Sequence, residues 1–134
     1  MGTAYLTHVA LTTSGCNDRV TFTFAGQTPG FRIEYAKAAE AQTEDASGRH
    51  IPVSGKAFLV VRLRGTRTAR TKADGSLTRT YRGPARVTAQ DAHHAREAVK
   101  TGDFESVVTW AIGLDGARPY IASTRGRSVV IDFG

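Results

Sequence analysis

At 134 residues, with 40% apolar residues, the chain is long enough for one domain, residues 1–134, that buries roughly two-thirds of the surface its unfolded form exposes. Its single cysteine, Cys16, excludes an internal disulfide framework and is expected as a free buried thiol. The formal charge of +6 favours anionic partners, and the absence of any apolar run of about eighteen residues excludes a membrane-spanning helix.

Residues 5–13 alternate with period two, placing Tyr5, Thr7, Val9 and Leu11 on one face and Leu6, His8, Ala10 and Thr12 on the other. A turn cluster, Ser14-Gly15-Cys16-Asn17-Asp18, leads into residues 19–24, where Val20, Phe22 and Phe24 point inward and threonines outward, so a hairpin is expected. Residues 31–35 resume the pattern around Ile33. Residues 36–50 are rich in Ala, Glu and Gln; propensity allows a short helix at 36–44, but alanine anchors a helix weakly, and an exposed connection of low order is expected. Pro52 interrupts an edge at 51–53. Residues 57–64 form a strand with Leu59, Val61 and Leu63 on one face and Phe58, Val60, Arg62 and Arg64 on the other.

Most of the charge stands between residues 62 and 86. Eight cations (Arg62, Arg64, Arg67, Arg70, Lys72, Arg79, Arg82 and Arg86) face one acid, Asp74, a local charge of +7, while the rest of the chain sums to −1. Asp74-Gly75 between threonine-rich segments is a hairpin signal, with residues 66–72 and 77–81 as arms and the arginines projecting away from the core. Such a run is the electrostatic footprint of an anionic partner, although a solvated face rich in arginine gives the same count. Only Tyr81 is aromatic within it, which weakens nucleic-acid recognition through base stacking relative to polyanion contact.

Residues 88–101 read two ways. Thr88-Ala89-Gln90-Asp91 resembles a capping box before helix formers, whereas Ala95, Glu97, Val99 and Thr101 alternate as a strand would. Residues 107–114 are the organising strand: Val108, Trp110, Ile112 and Leu114 share one face, and the small or apolar character of the other predicts burial on both sides. A terminal hairpin joins residues 120–124 to 128–133 through Arg125-Gly126-Arg127, with Val129, Ile131 and Phe133 on one face. Regular strands, glycine and proline turns and no long helix predict an all-β, two-sheet sandwich of mostly antiparallel strands with a protruding basic hairpin. Its expected core is Val20, Phe22, Phe24, Ile33, Leu59, Val61, Leu63, Val108, Trp110, Ile112, Val129 and Ile131.

No constellation for catalysis stands out, and no enzyme activity, metal or cofactor is expected. His8, His50, His93 and His94 lack metal-ligand spacing, Cys16 has no histidine assigned to it by sequence, and no phosphate-cradling glycine loop occurs. Asp103 and Glu105, at i and i+2, would share a strand face and are the one carboxylate pair suited to acid–base work; turn capping is the plainer role.

Taken in order, Asp18-Arg19-Val20-Thr21-Phe22-Thr23-Phe24, Gly30-Phe31-Arg32-Ile33-Glu34-Tyr35, Ala57-Phe58-Leu59-Val60-Val61-Arg62-Leu63, Tyr81-Arg82-Gly83-Pro84, residues 102–115 and Ser128-Val129-Val130-Ile131-Asp132 resemble the AMIN-like domain, a family of actinobacterial secreted proteins and lipoproteins. The resemblance spans about residues 5–133. It implies an extracytoplasmic β-sandwich related to the AMIN domains, non-catalytic modules that localise envelope proteins by binding peptidoglycan, and it implies a strand over residues 95–104. Cys16-Asn17 departs from the family, which tends to place an aromatic before Asp-Arg. The first residues carry no secretory signal or lipidation cysteine, so the expected location rests on the resemblance. The expected partner is peptidoglycan, another anionic wall polymer or an envelope protein, with a nonspecific nucleic-acid or polyanion binder as the alternative.

Overall fold

The computed structural model describes residues 2–134, which are mostly β-strand. Two five-stranded sheets dominate, one of them curled into a half-barrel. The first is built on the hairpin of β1 (Ala4–Ser14) and β2 (Asn17–Gly26). The second takes β3 (Gly30–Ala36) and β4 (Ala57–Arg64), with a one-turn helix, α1 (Ala38–Ala41), between them. After β4 come β5 (Thr66–Arg67), β6 (Ala69–Thr71), β7 (Leu77–Arg79) and β8 (Arg86–Thr88). The hairpin of β9 (Ala95–Phe104) and β10 (Val107–Leu114) and that of β11 (Tyr120–Arg125) and β12 (Ser128–Phe133) close the chain. Strand order is β11-β12-β2-β1-β5 in the first sheet and β3-β4-β10-β9-β8 in the second; β6 and β7 pair by themselves.

One core lies between the sheets. Leu6, Val9, Leu11, Val20, Phe22, Phe24, Val129, Ile131 and Phe133 of the first meet Leu59, Leu63, Val61, Val108, Trp110, Ile112 and Leu114 of the second. Ile33 is only half-buried, because β3 is the outermost strand of its sheet. Trp110 is fully buried, with the rings of Phe22 and Tyr81 edge-on at 5.9 and 5.7 Å, the edge-to-face geometry that aromatic quadrupoles favour. Among the described residues its indole Nε1 has no hydrogen-bond partner.

Strict alternation in β1 predicts Leu6 and Val9 on opposite faces, yet both are buried in this core. A bulge between Leu6 and His8 inserts one residue and shifts the phase. Two more irregularities in β9 leave Thr101 and Arg96 without register partners on β10. Ala95 and Ala98 therefore reach the inner core while Val99 packs on the outer face. The strand over residues 95–104 forms as the family resemblance implies, and these interruptions explain why no clean period marks it.

The outer face of the second sheet is covered as well. Residues 37–56 form a strap across it: most of them are exposed, as expected, but the segment is not a loose connection, since it holds a one-turn helix and a Thr43–His50 bridge and docks on the sheet. Ala41 and Val53 are buried against Phe58, Val60, Val99 and Ala111. The strap lies close because two glycines admit it. A Cβ on Gly113 would overlap the Ser54 carbonyl oxygen, and one on Gly102 would overlap the Asp45 carboxylate, which accepts a 2.8 Å bond from the Thr109 hydroxyl. Residues 51–53 form no strand. β10 is thus buried on both faces, as its small second face predicts.

Cys16 is exposed at the tip of the β1–β2 turn, not buried. The two-residue turn, with Gly15 at φ 62°, points it away from either sheet.

Candidate polyanion-binding face

The basic excursion differs in shape from the expected free arm. Its paired strands are three residues each, Ala69–Thr71 against Leu77–Arg79, closed by a five-residue loop in which Asp74 accepts bonds from the Ser76 backbone and hydroxyl. Thr66–Arg67 does not extend that pairing. It joins the first sheet parallel to β1, with the Thr66 amide bonded to the Ser106 carbonyl.

Both ends of the excursion are tied down. Thr68 donates its hydroxyl to Asp103, Thr80 donates to the Leu6 carbonyl at 2.9 Å, and Tyr81 turns into the core and donates to the Pro84 carbonyl at 2.6 Å. Burial pushes the Tyr81 phenol above its ordinary pKa. The only aromatic ring of the basic segment is therefore taken up by packing against Trp110 and cannot stack on a ligand.

The eight candidate cations separate into two groups. Arg62 lies on the outer sheet face between Glu34 (3.6 Å) and Glu40 (3.7 Å), clamping α1 to β4. Arg86 binds the buried Glu97 and the Pro52 carbonyl at 2.7 Å, while Glu97 also accepts the Ser54 amide at 2.7 Å. These two belong to the strap's anchorage. Arg64, Arg67, Arg70, Lys72, Arg79 and Arg82 are exposed and, among the described residues, make no salt bridge. Arg70 stacks its guanidinium 4.5 Å from the centre of the Tyr5 ring, a contact that holds the fork in place without neutralising it. Lys72, Arg79 and Arg82 line an open groove of about 400 Å³ with Leu77 and Thr78.

Asp103 and Glu105 do not form a pair. Asp103 ends in its bond to Thr68, and Glu105 occupies the β9–β10 turn at φ 52°, followed by Ser106 at φ 62°, the left-handed pair that a two-residue hairpin turn demands. Among the described residues, no three His, Cys, Asp or Glu side chains converge as metal ligands would.

A site invisible to sequence reasoning holds the sheets together. Asp18, fully buried on β2, accepts the backbone amides of His93 (2.9 Å), His94 (2.6 Å) and Ala95 (2.8 Å) at the start of β9. Burial opposes its charge, but three donors aimed at the carboxylate prevail and hold its pKa below the ordinary value. Its neighbour Arg19 faces outward and pairs with Asp132 on β12 at 2.6 Å. The Asp-Arg dipeptide is therefore architectural: one side chain links the two sheets, the other two strands of one sheet. Nothing in its local pattern, apart from the family resemblance, marks it out.

Compared with known families, residues 4–134 match the AMIN-like domain. The chain belongs to that family. AMIN-like domains are in general non-catalytic and extracytoplasmic, and membership suggests a cell-envelope binding module. No curated protein and no solved structure matches the chain at a significant level. No helix among the described residues is long and apolar enough to cross a membrane.

Proposed function

We propose that this AMIN-like domain binds peptidoglycan or another anionic cell-wall polymer through the cations of its 64–82 excursion. The observation that carries the reading is the set of six exposed cations, Arg64, Arg67, Arg70, Lys72, Arg79 and Arg82, with no carboxylate partner among the described residues, on a segment both of whose ends are anchored. Elsewhere on the surface Arg19, Arg49 and Arg118 are neutralised by Asp132, Glu44 and Asp115, while Arg96, Arg125 and Arg127 are exposed without a salt bridge among the described residues but lie outside this run of cations. Unpaired guanidinium forks held on a fixed frame suit planar carboxylate or phosphate groups spaced along a chain.

The test is co-sedimentation of the protein with purified sacculi over a salt series. Binding at low salt that fades as salt rises is expected, because exposed charges are screened within about 8 Å at physiological ionic strength. Absence of binding at low salt overturns the reading. Replacing Arg67, Arg70, Arg79 and Arg82 with serine should weaken binding and flatten its salt dependence. Equal affinity for an arbitrary DNA strand would favour the general polyanion binder, a reading that the burial of Tyr81 deprives of its stacking ring.

A further inference from the structure

Both sheets end in unpaired strands, and the four edges are not alike. β5 and β8 are two and three residues long, too short to template another strand, and β11 carries one charge, at its last residue. β3 is seven residues long, pairs with β4 in unbroken register and, among the described residues, has no strand on its second side. No proline or bulge interrupts it, and although charged side chains commonly protect an exposed edge, its two, Arg32 and Glu34, are of opposite sign and so can pair with a second copy rather than repel it.

The order of side chains along β3 is chemically palindromic: Gly30, Phe31, Arg32, Ile33, Glu34, Tyr35, Ala36. We propose that β3 is a self-pairing edge, and that two copies of this chain associate by antiparallel pairing of β3 with β3 about a two-fold axis through Ile33. In that register Arg32 of each copy lies directly across from Glu34 of the other, Phe31 across from Tyr35, and the small residues Gly30 and Ala36 meet at the ends. A two-fold axis perpendicular to the sheet keeps outer face on outer face, so the complementarity acts twice.

The surface state of these residues fits an interface. On the outer face Arg32 and Glu34 are 59% and 45% exposed and pair with each other along the strand at 3.4 Å. Arg32 also sits in register with Arg62, a like charge that Glu34 and Glu40 balance, so a second carboxylate across the edge adds a counter-charge for Arg32. On the inner face Phe31, Ile33 and Tyr35 pack against the core but stay half-buried, and cross-strand aromatic neighbours would cover them. Tyr35 and Tyr120, edge-on at 6.0 Å, brace the strand against the other sheet: Tyr35 donates its hydroxyl to the Arg118 carbonyl at 2.7 Å, and Tyr120 donates to the Ile33 carbonyl at 3.2 Å. The Ile33 oxygen keeps a second lone pair for a partner strand.

Sedimentation equilibrium over a concentration series tests this with two charge reversals, Arg32→Glu and Glu34→Arg, each checked for folding by circular dichroism. The wild type should approach twice its 14.4 kDa mass as concentration rises. Each single variant, which sets like charges across the axis, should stay at the monomer mass over the same range. An equimolar mixture of the two restores opposite charges at both positions and should recover the doubled mass, as should the double variant Arg32→Glu/Glu34→Arg. A wild type that is monomeric throughout overturns the proposal, and so does a dimer that persists in either single variant. Failure of both the mixture and the double variant to reassociate also overturns it.

Discussion

Two excursions leave the second sheet, and they end differently. The strap of residues 37–56 departs from β3 with few large apolar side chains and settles onto a sheet face. The excursion of residues 65–85 leaves β4 with most of the cations, and six cations at positions 64–82 stay free of carboxylates among the described residues. Apolar content does not separate them, since the strap docks largely through alanine, valine and backbone. What separates them is the receiving surface. The strap meets glycines, Gly102 and Gly113, that let its backbone approach, and carboxylates and cations, Glu97, Arg86 and Arg62, that satisfy it. The basic excursion is anchored at its ends by Thr68, Thr80 and Tyr81, and its middle meets no carboxylate from the rest of the described chain. A fold that neutralises two of eight cations and leaves six is one in which charge and anchorage occupy different residues.

That contrast can be broken most severely at Gly113. Valine there must displace the Ser54 carbonyl and lift the strap, exposing Ala41 and Val53, and should cost about 4 kcal/mol, at the upper end for overpacking. Urea unfolding measures the loss, and unchanged stability would show that the strap contributes little.

The strand that receives the strap at Gly102 and Glu97, β9, is held at its start by Asp18. Asp18→Asn keeps the shape but presents an N–H₂ to backbone donors and should cost about 2.5 kcal/mol. Because the folded pKa lies below the ordinary 3.8, the carboxylate's stabilisation is complete above that value and is lost as pH falls through the folded pKa. The variant should therefore lose stability less steeply on acidification than the wild type does, which thermal unfolding between neutral pH and about pH 2 will reveal.

A smaller effect is expected at the junction of the two excursions. Arg86→Ala strands the buried Glu97 with the Ser54 amide alone and should cost about 1.5 kcal/mol, more than the loss of any free arginine. Least of all, serine at Arg67, Arg79 and Arg82 should change stability by less than about 0.5 kcal/mol while weakening sacculus binding. Loss of stability comparable to that of Arg86→Ala would return these arginines to the scaffold and remove the proposed binding face.

Most strands are legible in the residues themselves. Val20, Phe22 and Phe24, the Leu59, Val61 and Leu63 stripe, and Trp110 between Val108 and Ile112 alternate because a sheet with a buried face requires it. Legibility fails wherever one residue is inserted. The bulge in β1 moves Val9 to the face of Leu6, and the two irregularities in β9 scramble a segment that helix propensity then claims. It fails again at Tyr81, which sits among cations yet lies in the core, and at Cys16, a residue type usually buried that here tips a turn. In the candidate face, the run of eight cations is plain from sequence, but its division into scaffold and free residues depends on carboxylates at positions 34, 40 and 97.

Local chemistry by itself determined the β character, the hairpin turns, the two-sided burial of β10 and the concentration of charge between Arg62 and Arg86. All of these rest on nearest neighbours: side-chain alternation, glycine's access to positive φ, and the sign of adjacent groups. Only the tertiary structure decided that residue 18 would hold residues 93–95, that Ser54 would rest on Gly113, and that Arg62 and Arg86 would be consumed while six other cations stayed free. Each depends on groups from 11 residues apart, as Arg86 and Glu97 are, to 77, as Asp18 and Ala95 are, meeting at hydrogen-bond, ion-pair or steric range, and no local pattern encodes such a meeting.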